Sequence, residues 1–426
     1  MTTIIFTGIT GINKRHVLKR LRKEVLRQHS DSTYRALAAN LDHPAATRYI
    51  NQYSLEDHID RTVGMETFLT DDDKSRQRRR WRESFLAVQE ATENDNPTIA
   101  LISAHLSFQR VSHIFSPLCW QFGSDDAFGL FKKLNPTCCV NLIDDIYSVQ
   151  RRIKPGTKIR LREIITWRQV ENFLTDLLAK ELFKPSGYSE DWPYECCPVV
   201  ATKHPPATLY RLLFRKDILR IYASVPISNP RREPTRDGTS RVEAFIRSLE
   251  AHFTVYNPLT IDEKPLEFLP RTGDMAKLPL DFSPGRWPPQ FANMLSPESA
   301  DDYPIELRTD EVVEVSQPMS EGQKSEISRH IEQRDFRLID QSDCVAVYRM
   351  TYGGGDPSGG IYREIIYAKG RRPCFFVFDP DSGDSTSPST LQPEPDVMFV
   401  GPDESTIPVL IEKLHAQAVK RPAGRI

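Results

Sequence analysis

The 426-residue chain lacks an apolar run of the ~18 residues that a membrane-crossing helix requires, so no transmembrane segment is expected. Its opening, MTTIIFTGITGINKR, has too short an apolar core for a signal peptide and reads as a strand and a loop. None of the seven cysteines stands in C-x-x-C spacing. The adjacent pairs Cys138-Cys139 and Cys196-Cys197 lie beside apolar runs, which favours buried thiols in a reducing cytoplasm over metal ligands. Net charge is nearly absent, 56 Lys and Arg against 58 Asp and Glu, so bulk electrostatics favour neither nucleic acid nor an acidic membrane as partner. No internal repeat is present. What remains is the composition of a globular protein, long enough for about two to three domains.

The stretch Asp335–Asp379 is the most informative. Cys344–Tyr348 is short, apolar and rich in β-branched residues, as a buried strand is. The run GGGDPSGG over 353–360 cannot hold a regular element, because glycine is conformationally free and proline removes a donor. Ile361–Lys369 then reads as a helix ended by Gly370, and Cys374–Phe378 as a second buried strand. Such a βαβ unit puts the glycine loop and the helix start at the carboxyl end of the first strand, where open α/β sheets bind ligands. Glu364, expected on the first helical turn, is a candidate nucleophile or general acid or base. Its simpler role is to complement the helix dipole.

The N-terminal stretch has a second pattern. Thr3–Phe6 reads as a strand, Thr7–Arg15 as a loop and His16–Gln28 as a basic amphipathic helix. Strand, glycine loop, Lys and helix form the P-loop plan, in which backbone N–H groups and the Lys hold phosphate. Gly8 and Lys14 are in register with G-x-x-x-x-G-K-[ST]; Asn13 replaces the last glycine and Arg15 the hydroxyl that contacts magnesium. Asn tolerates left-handed backbone, so the loop is expected to close. Thr98–Ser103 and Thr137–Asp145 read as further strands. Asp144 and Asp145 end the latter as a Walker B acid does, or cap the next helix. Arg76, Arg78, Arg79, Arg80 and Arg82 are candidate phosphate clamps or a solvated helix face, and Arg151 and Arg152 are similar candidates. His105 lines a cleft or packs in a core.

Two resemblances follow. SDCVAVYR, DPSGG and IYREIIYAKGRRP, preceded by LRIYASVPIS and VYNPL, resemble the nucleoside 2-deoxyribosyltransferase-like family and its nucleotide N-glycosidase branch. That resemblance implies Glu364 as nucleophile, Asp343 as sugar-positioning acid, and Ser224, Ser228, Ser358, Gly359 and Gly360 around the substrate. TGITGINK and the strand order after it resemble the adenylate-kinase branch of P-loop nucleotide kinases. This implies a phosphate loop of Gly8, Gly11, Asn13, Lys14 and Arg15, with ATP and Mg2+ as cofactors and Asp144 and Asp145 near the metal. The departures at Asn13 and Arg15 put turnover of Mg-ATP in question.

The expected fold is therefore α/β in two domains. Residues 1–212 form a P-loop kinase-like three-layer domain, and 213–426 a flavodoxin/Rossmann-like parallel-sheet domain with an irregular insertion at about 262–320. The expected protein is cytoplasmic, with nucleosides or nucleotides as small-molecule partners and no specific nucleic acid. The C-terminal domain cleaves or exchanges an N-glycosidic bond and the N-terminal domain binds a nucleotide. A non-catalytic nucleotide sensor and an NAD-cleaving glycosidase are the alternatives. Relatives that complete their sites across subunits leave a homo-oligomer open.

Overall fold

The computed structural model describes the chain except for residues 111–112, 123–124, 147–148, 150–151, 154–158, 160, 184–195, 227–235, 262–320, 350–358, 379–395 and 420–426. The described residues form a mixed α/β protein with two five-stranded parallel sheets, one in each of two compact units, Met1–Thr202 and Lys203–Ile426. The expected insertion at 262–320 lies outside the described residues, as do Ser228 and Ser358. Among the described residues no helix is long and apolar enough to cross a membrane.

In the N-terminal unit the strands of the five-stranded sheet are β1 (Thr2–Thr7), β2 (Ile50–Ser54), β3 (Ile99–Ser103), β4 (Pro136–Ile143) and β5 (Val199–Ala201). They lie in the order β2-β3-β1-β4-β5, so β1 is central. Every pairing is parallel, as in Ile4 opposite Leu101 and Phe6 opposite Val140. The principal helices are α1 (Lys14–Arg27), α2 (Leu55–Thr62), α3 (Lys74–Asp95) and α4 (Leu161–Leu182).

Strand periodicity divides the side chains between two faces. Ile5, Ile102 and Cys139 join a core with Leu55 and Ile59 of α2, Trp81, Phe85 and Val88 of α3, and Leu174 and Leu178 of α4. Ile4, Phe6 and Leu101 alternate with them and are equally buried, on the face where α1 packs over β2 and β3. Each such side chain contributes about 1.5–3 kcal/mol on burial. Of the paired cysteines, Cys139 and Cys197 are buried as expected, while Cys138 and Cys196 are only half-buried.

In the C-terminal unit the strands are β6 (Arg220–Ser224), β7 (Thr254–Tyr256), β8 (Cys344–Tyr348), β9 (Cys374–Phe378) and β10 (Val397–Val400). The order is β7-β6-β8-β9-β10, again with every pairing parallel. The helices are α5 (Pro206–Phe214), α6 (Arg236–His252), α7 (Glu321–Asp340), α8 (Gly359–Ala368) and α9 (Asp403–Val419). Ile221, Ala223, Ala346 and Phe375 meet Val242, Phe245 and Leu249 of α6 and Leu410 and Leu414 of α9 on one face. Tyr222, Val345, Val347 and Phe376 meet Leu338 and Ile339 of α7 and Ile361 and Ile365 of α8 on the other. Helices on both faces leave β8 and β9 apolar throughout, as doubly covered parallel strands are.

The division at Thr202 falls before the expected boundary at 212/213. The reason is α5, whose Arg211 donates to the carbonyls of Glu250 (2.5 Å) and Phe253 (2.7 Å) where α6 turns into β7.

Candidate functional site

Glu364 lies on the second turn of α8, because the helix begins at Gly359 and not at Ile361. It shares the buried face with Ile361, Ile365 and Ala368, so its carboxyl enters the sheet side rather than capping the helix dipole. Its Oε1 accepts a hydrogen bond from the Tyr222 hydroxyl (3.0 Å), and its Oε2 one from Ser224 Oγ (2.5 Å). Tyr222 and Ser224 are two residues apart on β6 and project from the same face; Ser224 is its last residue. From β6 the chain crosses to β7 on one side, and from β8 to β9 on the other. Glu364 and Ser224 therefore meet where the crossover direction reverses, the crevice in which open α/β sheets take ligands.

Burial pushes the Glu364 carboxyl up to about 8, and the nearby Asp335 charge adds to the rise against the two hydroxyl donors. Burial, with Asp335 and Glu364 behind it, also raises the Tyr222 phenol, which keeps its proton as a donor. Asp335 is held by Arg334 (2.9 Å), whose Nη1 donates to the Ile261 carbonyl (2.9 Å). Arg349, directly after β8, is only 1 % exposed and has φ 45°. It pairs with Asp403 (3.0 Å), which also accepts from the Tyr348 hydroxyl (2.7 Å) and fastens the start of α9 to the carboxyl end of β8.

Asp343 does not join this group. It precedes β8, where its Oδ2 accepts from the Arg220 backbone N–H (2.7 Å) and its Oδ1 pairs with the Arg220 guanidinium (3.3 Å). Arg220 starts β6 and Ser224 ends it, so about 13 Å of strand separates Asp343 from the carboxyl edge. This placement lends no support to the sugar-positioning role expected of Asp343: the side chain ties together the amino ends of two parallel strands. Gly359 and Gly360 are exposed in the first turn of α8, and a Cβ on Gly359 would meet nothing within 4 Å. Sequence reasoning passed over Tyr222, Asp335 and Arg334 as site residues. Only the Tyr-x-Ser spacing on β6 could have signalled Tyr222.

In the N-terminal unit, the loop after β1 is shaped by two glycines at positive φ, Gly8 at 139° and Gly11 at 88°. A Cβ on Gly8 would stand 2.7 Å from the Leu142 carbonyl oxygen, and one on Gly11 equally close to that of Val149. Asn13 does not use the left-handed backbone that asparagine tolerates; it sits at φ −73° and caps α1 by accepting from His16 N–H (3.3 Å).

Lys14 turns inward. Its Nζ donates to the Gly8 carbonyl (2.8 Å) and lies 2.7 Å from His105 Nδ1 and 3.7 Å from Glu56 Oε1. Burial depresses Lys14, opposed by the Glu56 charge. Burial would raise Glu56, but Lys14 and then His105 outweigh it and bring the carboxyl down to about 2. With Glu56 ionised beside it, Lys14 keeps its proton. His105 Nδ1–H donates to the Gly8 carbonyl (2.6 Å), which leaves Nε2 to accept from Lys14 Nζ (3.2 Å), with Thr10 Oγ1 (3.4 Å) and Glu56 also beside it. Burial and the Lys14 charge hold His105 down at about 4, so the ring is neutral at physiological pH.

Glu171 of α4 closes the inner side of the loop. Its Oε1 accepts from the backbone N–H groups of Gly8 (3.1 Å) and Leu106 (2.9 Å), and its Oε2 from Ser107 Oγ. Asp144, which follows β4, is fully buried and pairs with Arg152 (2.8 Å). Arg152 also donates to the Gly11 carbonyl (2.9 Å). Asp145 is buried beside Asp144 and donates its N–H to Asp144 Oδ1 (2.8 Å). Arg15 is exposed, as are Arg76, Arg78, Arg79 and Arg82 of α3, while Arg80 pairs with Asp71 (2.9 Å). The α3 arginines thus form a solvated face. No family model matches this chain, and no curated protein matches it.

Proposed function

We propose that the protein processes nucleotides, its C-terminal unit cleaving or exchanging the N-glycosidic bond of a nucleoside or nucleotide through Glu364. The observation that carries this reading is the convergence of Glu364, Tyr222 and Ser224 at the reversal point of the sheet. A flavodoxin/Rossmann-like assignment of this unit is supported by its strand order, 2-1-3-4-5 within the unit. Glu364 attacks the anomeric carbon in its ionised form, with the Tyr222 and Ser224 hydroxyls donating to the carboxylate. Because the carboxyl sits near 8, about one molecule in ten is ionised at pH 7. A transferase returns the sugar to a second base and a hydrolase to water. Incubation with a panel of nucleosides, nucleoside monophosphates and NAD, followed by chromatography for free base, tests the reading. Base release by the wild type that Glu364→Gln abolishes is the expected result; silence across the panel defeats it.

The N-terminal unit, in this proposal, is P-loop kinase-like and holds a nucleotide phosphate chain through Lys14. Binding without phosphoryl transfer is the reading favoured here by the engaged state of Lys14 and Asp144. A nucleotide-regulated glycosidase would join the two units in one pathway.

A further inference from the structure

We propose that the N-terminal unit takes its nucleotide without magnesium, the Arg152 guanidinium supplying the counter-charge that a divalent ion brings to metal-dependent phosphate loops. The inference rests on the reading of Gly8–Arg15 as a nucleotide phosphate loop.

A magnesium ion in such a site needs oxygen ligands at close to ideal octahedral geometry. The residues here do not fit it. The position after the loop lysine, where a hydroxyl contacts the metal, is Arg15, a cation. The acid after β4, Asp144, has both carboxylate oxygens engaged, Oδ1 by the Asp145 N–H and Oδ2 by Arg152. Its backbone carbonyl accepts from a second guanidinium, Arg168 (3.2 Å). The residue after β3 that faces Lys14 is His105, which donates from Nδ1 to the Gly8 carbonyl and receives the ammonium at Nε2. A dication would meet the guanidinium groups of Arg152 and Arg168 at a carboxylate already paired. A polyphosphate meets the same cations with opposite sign.

Arg152 is fixed as well as charged. The Nη1 that pairs with Asp144 also donates to the Gly11 carbonyl, so the guanidinium is anchored to the phosphate loop itself. A planar guanidinium held against the loop matches phosphate oxygens in a way a hydrated ion does not, and it adds no ion to order on binding.

Calorimetric titration of the full-length protein with ATP, in excess EDTA and again in Mg2+, tests this. The expected result is two dissociation constants that agree within about twofold. Binding that is tenfold or more tighter with Mg2+, on the order of 1.4 kcal/mol, overturns the inference and leaves the phosphate loop standing. Heat in neither buffer removes the phosphate-loop reading and the inference with it. Arg152→Gln, checked for an unchanged far-UV spectrum, is expected to lose about tenfold in EDTA and to recover part of that loss in Mg2+, because Asp144 is then released. Arg152→Lys is expected to keep binding in EDTA within about threefold of wild type. An Arg152→Gln variant that binds in EDTA as tightly as wild type also overturns the inference.

Discussion

Ser224 Oγ donates a 2.5 Å hydrogen bond to Glu364 Oε2 across 140 residues of sequence. The two are brought together because β6 and β8 are parallel neighbours, with Ser224 opposite Val347 near the carboxyl edge. The strand that carries the serine and the helix that carries the glutamate thus meet at the carboxyl edge of the sheet.

On the proposed glycosidic chemistry, removing either partner has different consequences. Glu364→Gln keeps the shape and loses the nucleophile, so base release is expected to fall by about 10²–10⁴-fold. Ser224→Ala removes one charge-assisted donor, worth about 1.5–3 kcal/mol, and is expected to cost roughly 10–100-fold. Initial rates of base release on the panel substrate with the highest turnover measure both. A Glu364→Gln enzyme as fast as wild type would remove Glu364 from the chemistry.

The elevated Glu364 value gives a pH signature. The folded carboxyl titrates near 8 and the unfolded one near 4.5, so between these values only the folded state holds the proton. Stability from this group is greatest below about 4.5 and declines as pH rises through 8. Glu364→Gln, neutral at every pH, is expected to be more stable than wild type at pH 9, by up to about 5 kcal/mol, and close to it at pH 5. Urea titrations at the two pH values read this directly. The rate of base release is expected to climb with pH and flatten above about 8. A rate that instead falls through that value assigns Glu364 as the proton donor to the leaving base.

Asp343 should behave as a structural residue. Asp343→Asn leaves the carboxyl edge of the sheet untouched and weakens the tie to Arg220. The expected outcome is base release within about threefold of wild type and a loss of about 1–3 kcal/mol in unfolding free energy. Loss of activity without loss of stability would return Asp343 to the site.

The sequence displayed the strands plainly where both faces are covered. Cys344–Tyr348 and Cys374–Phe378 match their expected bounds, because a doubly buried parallel strand is a continuous apolar run. Glu364 was legible because a carboxylate beside a glycine loop is chemically unusual. Its partners were not: Tyr222 looks like any strand aromatic until the parallel register sets it under α8. The placement of Asp343 was hidden for the same reason. Adjacency to a strand was evident in the sequence, but which end of the strand faces the crevice depends on strand direction within the sheet. In the N-terminal unit the pattern G-x-x-x-x-N-K located the loop, while Glu56, Glu171 and Arg152, which occupy its charges, come from three distant helical segments.

The loop glycines carry a packing requirement besides their conformational one. Gly8 stands at φ 139°, and a methyl there would press to 2.7 Å from a backbone oxygen of Leu142, which has no flexible end to yield. Gly8→Ala is expected to cost about 2–4 kcal/mol in unfolding free energy and to weaken ATP binding in step. Chemical denaturation followed by tryptophan fluorescence, with Trp81 and Trp167 both buried in this unit, is the measurement. An alanine variant as stable as wild type would show that the loop can adopt another backbone path.

The buried trio of Lys14, Glu56 and His105 is expected to make the N-terminal unit acid-labile over a defined range. His105 titrates near 4 when folded and near 6.5 when unfolded, so the unfolded chain binds the extra proton first as pH drops. Glu56 repeats this from 4.5 down to about 2. In both cases the folded value lies below the unfolded one, so the stabilisation is complete above pH 6.5 and drains away continuously toward pH 2. His105→Asn cannot take up a proton and should flatten the upper part of that range. The expected observation is a wild-type unfolding midpoint that falls between pH 6.5 and 4 while the variant's stays level there, with both falling further below 4 as Glu56 is neutralised. Parallel curves for the two proteins from pH 6.5 to 4 would mean that His105 is not held neutral against Lys14, and the arrangement of charges assigned to the loop would have to be redrawn.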